Sequence, residues 1–388
     1  MKPRPERCDV AVVGAGTSGV VAALAAARRG ARVALVEATG RIGGMAIHGL
    51  HRFVCGLFCA GGDRPGDFLH GDTTLDFCRH LAGGDPAANA VRRGRVWLLP
   101  FAGGQALETC AGELLSRESN IRLHLRDPAV RAARAGDRLE EIELASGLVL
   151  KPGAAIDCTG TADLCRLAGG AVERPVAPAM AGYGFEVRGI QAPKADPMGL
   201  SIAVPLRLRR EVEAGRLAAH LAFTTWEPGH EPGSGWVKLA VPVQSLARAR
   251  DDAEAVWAVL KNDPAFGRGE IVRYLPAPLS RETGHLVGNY VLTGEDVRTA
   301  RKFPDGIARN AWPLEQWTED AGVVFRYLPD GEWHDVPRRC LQPKTGPENL
   351  LCAGAAISAD SAAAASIRVM GVCMALGEAA ARLSLDFP

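Results

Sequence analysis

Residues 9–37 commit one end of the chain to a single local topology. Residues 9–13 (DVAVV) form a short β-rich run, and residues 14–19 (GAGTSG) turn it. Residues 20–29 (VVAALAAARR) are Ala-rich and helical, with Gly30 placed to end the helix. Residues 31–37 (ARVALVE) read as a second strand. Together they make a strand–helix–strand unit of about thirty residues.

Each glycine of the turn has a physical task. Gly14 permits the tight bend, Gly16 lets the backbone approach a pyrophosphate, and Gly19 lets helix and sheet pack closely. The helix start supplies free N–H groups and the positive end of a dipole. Glu37 ends the second strand, where a carboxylate can bind ribose hydroxyls. The plain alternative is a tight turn without a ligand. It is disfavoured because strand, helix and acidic residue are all in place.

Composition removes other classes. Lys+Arg (45) and Asp+Glu (44) nearly cancel over 388 residues, and the basic residues are scattered. This balance points to no nucleic acid and no membrane surface as partner. Ten cysteines without a CxxC pair suit reduced thiols and a cytoplasmic location, not a disulfide scaffold or a zinc ribbon. Lys2, Arg4 and Arg7 before an apolar stretch imitate a signal peptide, but Gly14, Gly16 and Gly19 break that stretch. No apolar run reaches 18 residues, so no membrane span is expected.

Beyond residue 37 the regular alternation stops. Residues 40–72 are Gly-rich and irregular. A helix is expected at 105–117 and a strand at 121–125. A β-meander follows at 129–135, 140–145 and 149–152, then a buried strand at 154–158. Residues 175–327 are richer in Pro and Trp. They carry a short strand at 237–243 and helices at 245–261, with Ser245 as N-cap, and 295–301. A core strand returns at 349–357, and a long helix is expected from 362 to 383.

This order favours FAD over NAD. Arg41-Ile-Gly43-Gly44 follows the ribose carboxylate, and its glycine pair lets the backbone pass close to a large cofactor. An NAD-binding half would continue with further βα units; this chain inserts a meander and delays its last strand. The fold class expected is α/β. A discontinuous Rossmann-like FAD-binding domain, three-layer ββα, comprises 1–174 and 328–388. An inserted α+β substrate or cap domain, 175–327, covers the flavin. A helix start near 358–360 is placed to face the flavin's pyrimidine edge.

At this point the chain resembles the FAD-dependent oxidoreductases whose fold is like glutathione reductase or p-hydroxybenzoate hydroxylase. The matching segments are 9–37, 43–50 (GGMAIHGL), 155–169 (AIDCTGTADLCRLAG), 280–297, 302–314 and 349–380. The resemblance implies non-covalent FAD touching Gly14, Gly16, Gly19, Glu37, Arg41, Gly43 and Gly44, with Thr17, Ser18, Ala38 and Met45 beside them. It places Val130 by the adenine and Thr159, Gly160 and Asp163 in a second turn toward the dinucleotide. Gly354 and Ser358 would approach pyrophosphate and flavin. The family often carries Arg after the glycine matched by Gly354; here Ala355 stands. Where a His commonly follows the WPL-like segment, this chain has Glu315-Gln316-Trp317.

Candidate chemistry lies in the loop 48–59. His48 or His51 can act as general acid or base, Cys55 and Cys59 can form a redox pair, or one of these can tether the flavin. The plain reading is that the cysteines pack as small hydrophobes. The spacing matches no zinc finger, and no metal is expected. Arg281 can hold an anionic substrate, or pair with Glu282 across the domains. Arg368, among apolar neighbours, needs an acidic partner.

The function expected is hydride transfer between a small organic substrate and flavin N5. One alternative is a flavin monooxygenase acting on a small molecule or a peptide side chain during maturation. Another is a flavoprotein serving assembly or electron transfer without a small substrate. A homodimer or a protein electron acceptor is left open.

Overall fold

The computed structural model describes residues 5–49, 51–175, 180–191, 199–229, 231–242 and 245–387. Among them the chain divides into two compact units. The first takes residues up to 175, 282–314 and from 326 onward; the second takes 176–281 and 315–325.

One seven-stranded sheet organises the first unit. Its strands are β1 (Glu6–Val13), β2 (Val33–Glu37), β3 (Ile121–Leu125), β4 (Ala129–Ala135), β5 (Arg138–Leu144), β6 (Val149–Asp157) and β7 (Leu350–Cys352). The order is β3-β2-β1-β6-β5-β4, and β7 pairs in parallel with the end of β6, Leu350 opposite Ala155. β1 runs parallel to both β2 and β6, Val13 meeting Val36 and Asp157. Such a central strand is covered on both faces, which explains its unbroken apolar run. Val10 and Val12 enter the core shared with the helices, while Cys8, Ala11 and Val13 enter the core under the meander.

Five helices frame the site: α1 (Thr17–Ala27), α2 (Gly104–Ser116), α3 (Asp163–Leu167), α4 (Ser361–Ile367) and α5 (Met370–Ser384). Every residue of α1 is buried. Its small side chains fit a helix enclosed all round rather than one with a wet face. α5 comes close enough that a β-carbon on Gly377 would lie 2.1 Å from the Ser18 carbonyl oxygen.

Three expectations are corrected. The strands anticipated at 149–152 and 154–158 are one strand, β6, running through Pro152 and Gly153. Asn349 fills the gap between β5 and β7 that this leaves: its Nδ2 donates to the carbonyls of Leu139 (3.1 Å) and Gly153 (2.9 Å), and its Oδ1 accepts from the Leu139 N–H. The long C-terminal helix is two helices, α4 and α5, meeting at 92°. Val369 is extended, and Gly56 presses on it: a β-carbon there would lie 2.7 Å from Val369 Cγ2. The Gly371 N–H, freed by the break, donates to the Cys55 carbonyl at 2.9 Å. No single helix among the described residues is long and apolar enough to cross a membrane.

The third correction concerns the domain limits. Residues 282–314, expected in the second domain, pack with the first unit. Thr283 Oγ1 donates to the Gly160 carbonyl at 2.6 Å, and the strand Gly306–Asn310 pairs with His334–Pro337.

The second unit is an antiparallel sheet in the order Thr225–Pro228, Gly235–Val241, Ala181–Arg188, Glu270–Tyr274. The strand expected at 237–243 is that second strand; residue 243 lies outside the described residues. Tyr183, Phe185 and Val187 alternate onto its buried face, where Trp257 stands edge-on to Phe185. Helices Gly199–Glu213 and Leu246–Lys261 belong to this unit, the latter capped by the Ser245 side chain as its sequence suggests.

Candidate dinucleotide site

The turn after β1 is built by close backbone contacts. Gly14 has φ +101, and a β-carbon there would lie 2.4 Å from the Cys158 carbonyl oxygen. A β-carbon on Gly19 would lie 1.8 Å from the Gly14 oxygen. These two glycines are therefore required by packing alone. Gly16 is different: the nearest atom to its β-carbon would be Gly44 Cα at 3.9 Å. It is the N-cap of α1, no side chain caps it, and the first turn holds no acidic residue. The positive end of this fully buried helix therefore carries no capping side chain and no acidic residue in its own first turn.

The glycine pair after Arg41 sits on this turn. The Gly43 N–H donates to the Ala15 carbonyl at 2.7 Å, and Gly16 and Gly43 form a bridge. Gly44 (φ +55) comes so near that a β-carbon would lie 2.9 Å from Gly16 Cα. The result is a strip of bare backbone that can wall a channel for a pyrophosphate.

Glu37 closes the end of this channel. Its Oε2 accepts the Ala15 N–H and its Oε1 the Thr39 N–H, both at 2.8 Å. The carboxylate is buried, and each oxygen keeps a lone pair for a hydroxyl. On the other side, Gly354 (φ +82) follows β7, and a β-carbon there would lie 3.2 Å from Ser18 Cβ. Ser358 Oγ is buried without a hydrogen-bond partner among the described residues. These features fit FAD: an uncapped helix start for phosphate, a buried carboxylate for ribose, and an orphaned hydroxyl beyond Gly354.

Several other residues named from the sequence have partners within the protein. Arg41 is exposed and holds Glu108 of α2 through Nε and Nη2, the latter at 2.6 Å. This pairing keeps the Glu108 carboxyl below its usual range, and His48 adds to the effect. Thr159 accepts from the Asp163 N–H, and its own N–H and hydroxyl are taken by the buried Asp157. Asp163 binds Thr161 and Arg166. The second turn is thus closed on itself, with the Thr159 backbone against Gly14. Ala38, Met45 and Val130 are exposed. The short helix α4 already carries a carboxylate at its start: Asp360 accepts from the Ala363 and Gly294 N–H groups. The dipole end expected to face the flavin is occupied by this cap.

The residues of the loop 48–59 stand in different local settings. His48 ends a short helix (Met45–His48) on the Arg41–Glu108 side, and the exposed His51 ring packs against Gly49. Cys55 is half-buried at the corner of α4 and α5, bonded through its carbonyl to Gly371. Cys55 and Cys59 form no disulfide among the described residues, and burial followed by the nearby Glu332 pushes the Cys59 thiol up. Leu50 lies outside the described residues.

Arg281 belongs to the second unit, where it donates to the Met180 carbonyl and lies 3.9 Å from the Trp317 ring centroid. Glu282, in the first unit, faces His285 at 3.3 Å. Burial pushes its carboxyl up, but His285, Ser361 and Arg368 outweigh that and hold it below the usual range. Arg368 thus finds its acidic neighbour in Glu282. Sequence reasoning missed Asn349, Arg126 and the buried Glu378. Polar residues within apolar stretches were the available signal.

The parallel sheet and the glycine-lined channel define a dinucleotide-binding α/β protein. The chain belongs to the FAD dependent oxidoreductase family, whose model matches residues 9–384, and it is accordingly an FAD-dependent oxidoreductase. Among solved structures it is similar to AlpK, at 13% identity and a TM-score of 0.52, over 98% of this chain and 62% of that one. It is similar also to GidA from Aquifex aeolicus, at 13% identity and a TM-score of 0.51, over 98% of this chain and 63% of that one. At such identities the likeness concerns the fold. No curated protein matches the chain.

Proposed function

We propose that the chain oxidises a small organic substrate, with FAD lying along the bare backbone of Gly16 and Gly44 and reaching Glu37. The observation that carries this reading is the uncapped start of α1, lined by glycine that the protein's own packing does not require at residue 16. When bound, FAD supplies a two-electron acceptor at its N5 position. The protein's part is to bind and to exclude water. Backbone N–H groups at the start of α1 take the phosphates, Glu37 accepts from the ribose, and the Ser358 hydroxyl offers one hydrogen bond beyond Gly354. Arg281, fixed over Trp317, is the candidate contact for an anionic substrate. His51 is the candidate acid or base, being exposed and not buried in a core.

Anaerobic reduction of the purified flavoprotein tests this. Bleaching by a substrate alone, with reoxidation by oxygen or a dye, is the expected result. Bleaching by NADPH in the absence of substrate contradicts the reading and supports a monooxygenase.

A further inference from the structure

We propose that Arg126 recognises the adenine of the bound dinucleotide and so selects FAD over FMN. This rests on the placement of FAD in the channel described above.

Arg126 follows β3, the strand beside β2, and β2 ends in Glu37. The nucleotide leaving the Gly16 channel toward Glu37 therefore heads for this edge of the sheet. Two backbone bonds tie the segments together there: the Arg126 N–H donates to the Thr39 carbonyl at 2.8 Å, and the Asp127 N–H to the Glu37 carbonyl at 3.1 Å.

Arg126 stands in the left-handed region, φ +57, where a glycine would make the turn without strain. Its guanidinium lies against Gly40. A β-carbon on Gly40 would lie 2.7 Å from Nε and 3.1 Å from Cζ, so residue 40 must be bare for the side chain to rest there. Two unusual residues, a strained arginine and a glycine beneath it, thus hold one guanidinium at one place.

No carboxylate accounts for that placement. The neighbouring acids are engaged: Glu37 by Ala15 and Thr39, Asp127 by the N–H and hydroxyl of Ser146. Arg126 is exposed and forms no ion pair among the described residues. A planar, weakly hydrated cation held without an anion suits the face of an aromatic ring. At the ribose end of a dinucleotide site, that ring is adenine.

The test uses apoprotein titrated with FAD, ADP and FMN, the last two read by calorimetry or competition. Arg126→Gly relieves the strained turn, so its thermal midpoint should equal or exceed that of the parent chain. Its affinity for FAD and for ADP should fall about three- to tenfold, while FMN is unchanged. Arg126→Lys, which keeps the charge but not the plane, should recover only part of the loss. Equal losses for all three ligands, or no loss for FAD, overturn the proposal. Gly16→Ala separates this from failure of the site itself. FAD affinity untouched by Gly16→Ala removes the site and the proposal with it. Affinity lost in Gly16→Ala but kept in Arg126→Gly removes Arg126 alone.

Discussion

Gly16 and Gly44 pack against each other, yet only one of them is bare for the protein's sake. A β-carbon on Gly44 would lie 2.9 Å from Gly16 Cα, whereas one on Gly16 has no neighbour nearer than 3.9 Å. Gly16 has φ −68, open to any residue. Gly16→Ala should therefore cost the apoprotein no more than about 1 kcal/mol, the difference between glycine and alanine at an N-cap. Gly19→Ala, whose β-carbon meets the Gly14 oxygen at 1.8 Å, should cost more than about 2 kcal/mol. Denaturant unfolding of the two variants without FAD checks the contrast. Equal costs would mean that both glycines serve packing.

Glu37→Gln tests the carboxylate at the channel's end. Each oxygen of Glu37 accepts one backbone N–H. An amide puts a donor against one of these, leaving it unpaired at a cost of about 1–3 kcal/mol. FAD affinity should fall as well, because one ribose acceptor is lost. Unchanged stability together with unchanged FAD affinity would show that this carboxylate is incidental.

Glu378 makes a prediction about stability alone. Its buried carboxylate accepts from the Thr73 N–H (3.3 Å), the Thr74 N–H (3.0 Å) and the Thr74 hydroxyl (2.7 Å), holding the start of helix Asp72–Ala82 onto α5. Glu378→Ala strands these donors and should destabilise by roughly 3 kcal/mol. FAD affinity of the folded fraction should not change. A variant as stable as the parent chain would show that water replaces the carboxylate.

Acid should weaken the fold through His334 and His70. Burial lowers each to about 4, from an ordinary 6.5. His334 is fully enclosed and bonded to Asn310 and to the Asp335 carbonyl, so it is neutral when folded. Between pH 6.5 and about 4 the unfolded chain binds the proton and the folded one does not. Stability is then complete above 6.5 and declines as pH falls toward 4, by ~3 kcal/mol for His334. Unfolding free energies across this window should slope upward with pH, and His334→Asn should flatten the slope by about one proton. An unchanged slope in that variant would place the titration elsewhere.

The sequence announced what local pattern can encode. The turn at Gly14, α1, β2, the helix after Gly103 and the strand Ile121–Leu125 each follow from apolar periodicity and from Gly at a turn. The breaks in the plan were set by distant partners. Gly56, remote in sequence, packs at the bend beside Val369, and Asn349 hydrogen-bonds β6 at Gly153. The site divides the same way. Gly14, Gly16, Gly43 and Glu37 were legible as one strand–turn–helix grammar. The fate of Arg41 was not, because Glu108 lies on another helix and nothing local pairs the two. His48, His51 and Cys55 were grouped by nearness along the chain; the short helix that ends at His48 and the bond from Gly371 to the Cys55 carbonyl were not legible there.

The most direct test is titration of the apoprotein with FAD, following flavin fluorescence, in the parent chain and in Gly16→Ala side by side. Saturable binding of one FAD by the parent chain is expected, with affinity at least about tenfold weaker in a Gly16→Ala protein that remains folded; this corresponds to a loss of at least about 1.4 kcal/mol. Equal affinity in the two proteins would contradict the account, because FAD would then lie somewhere other than the bare start of α1.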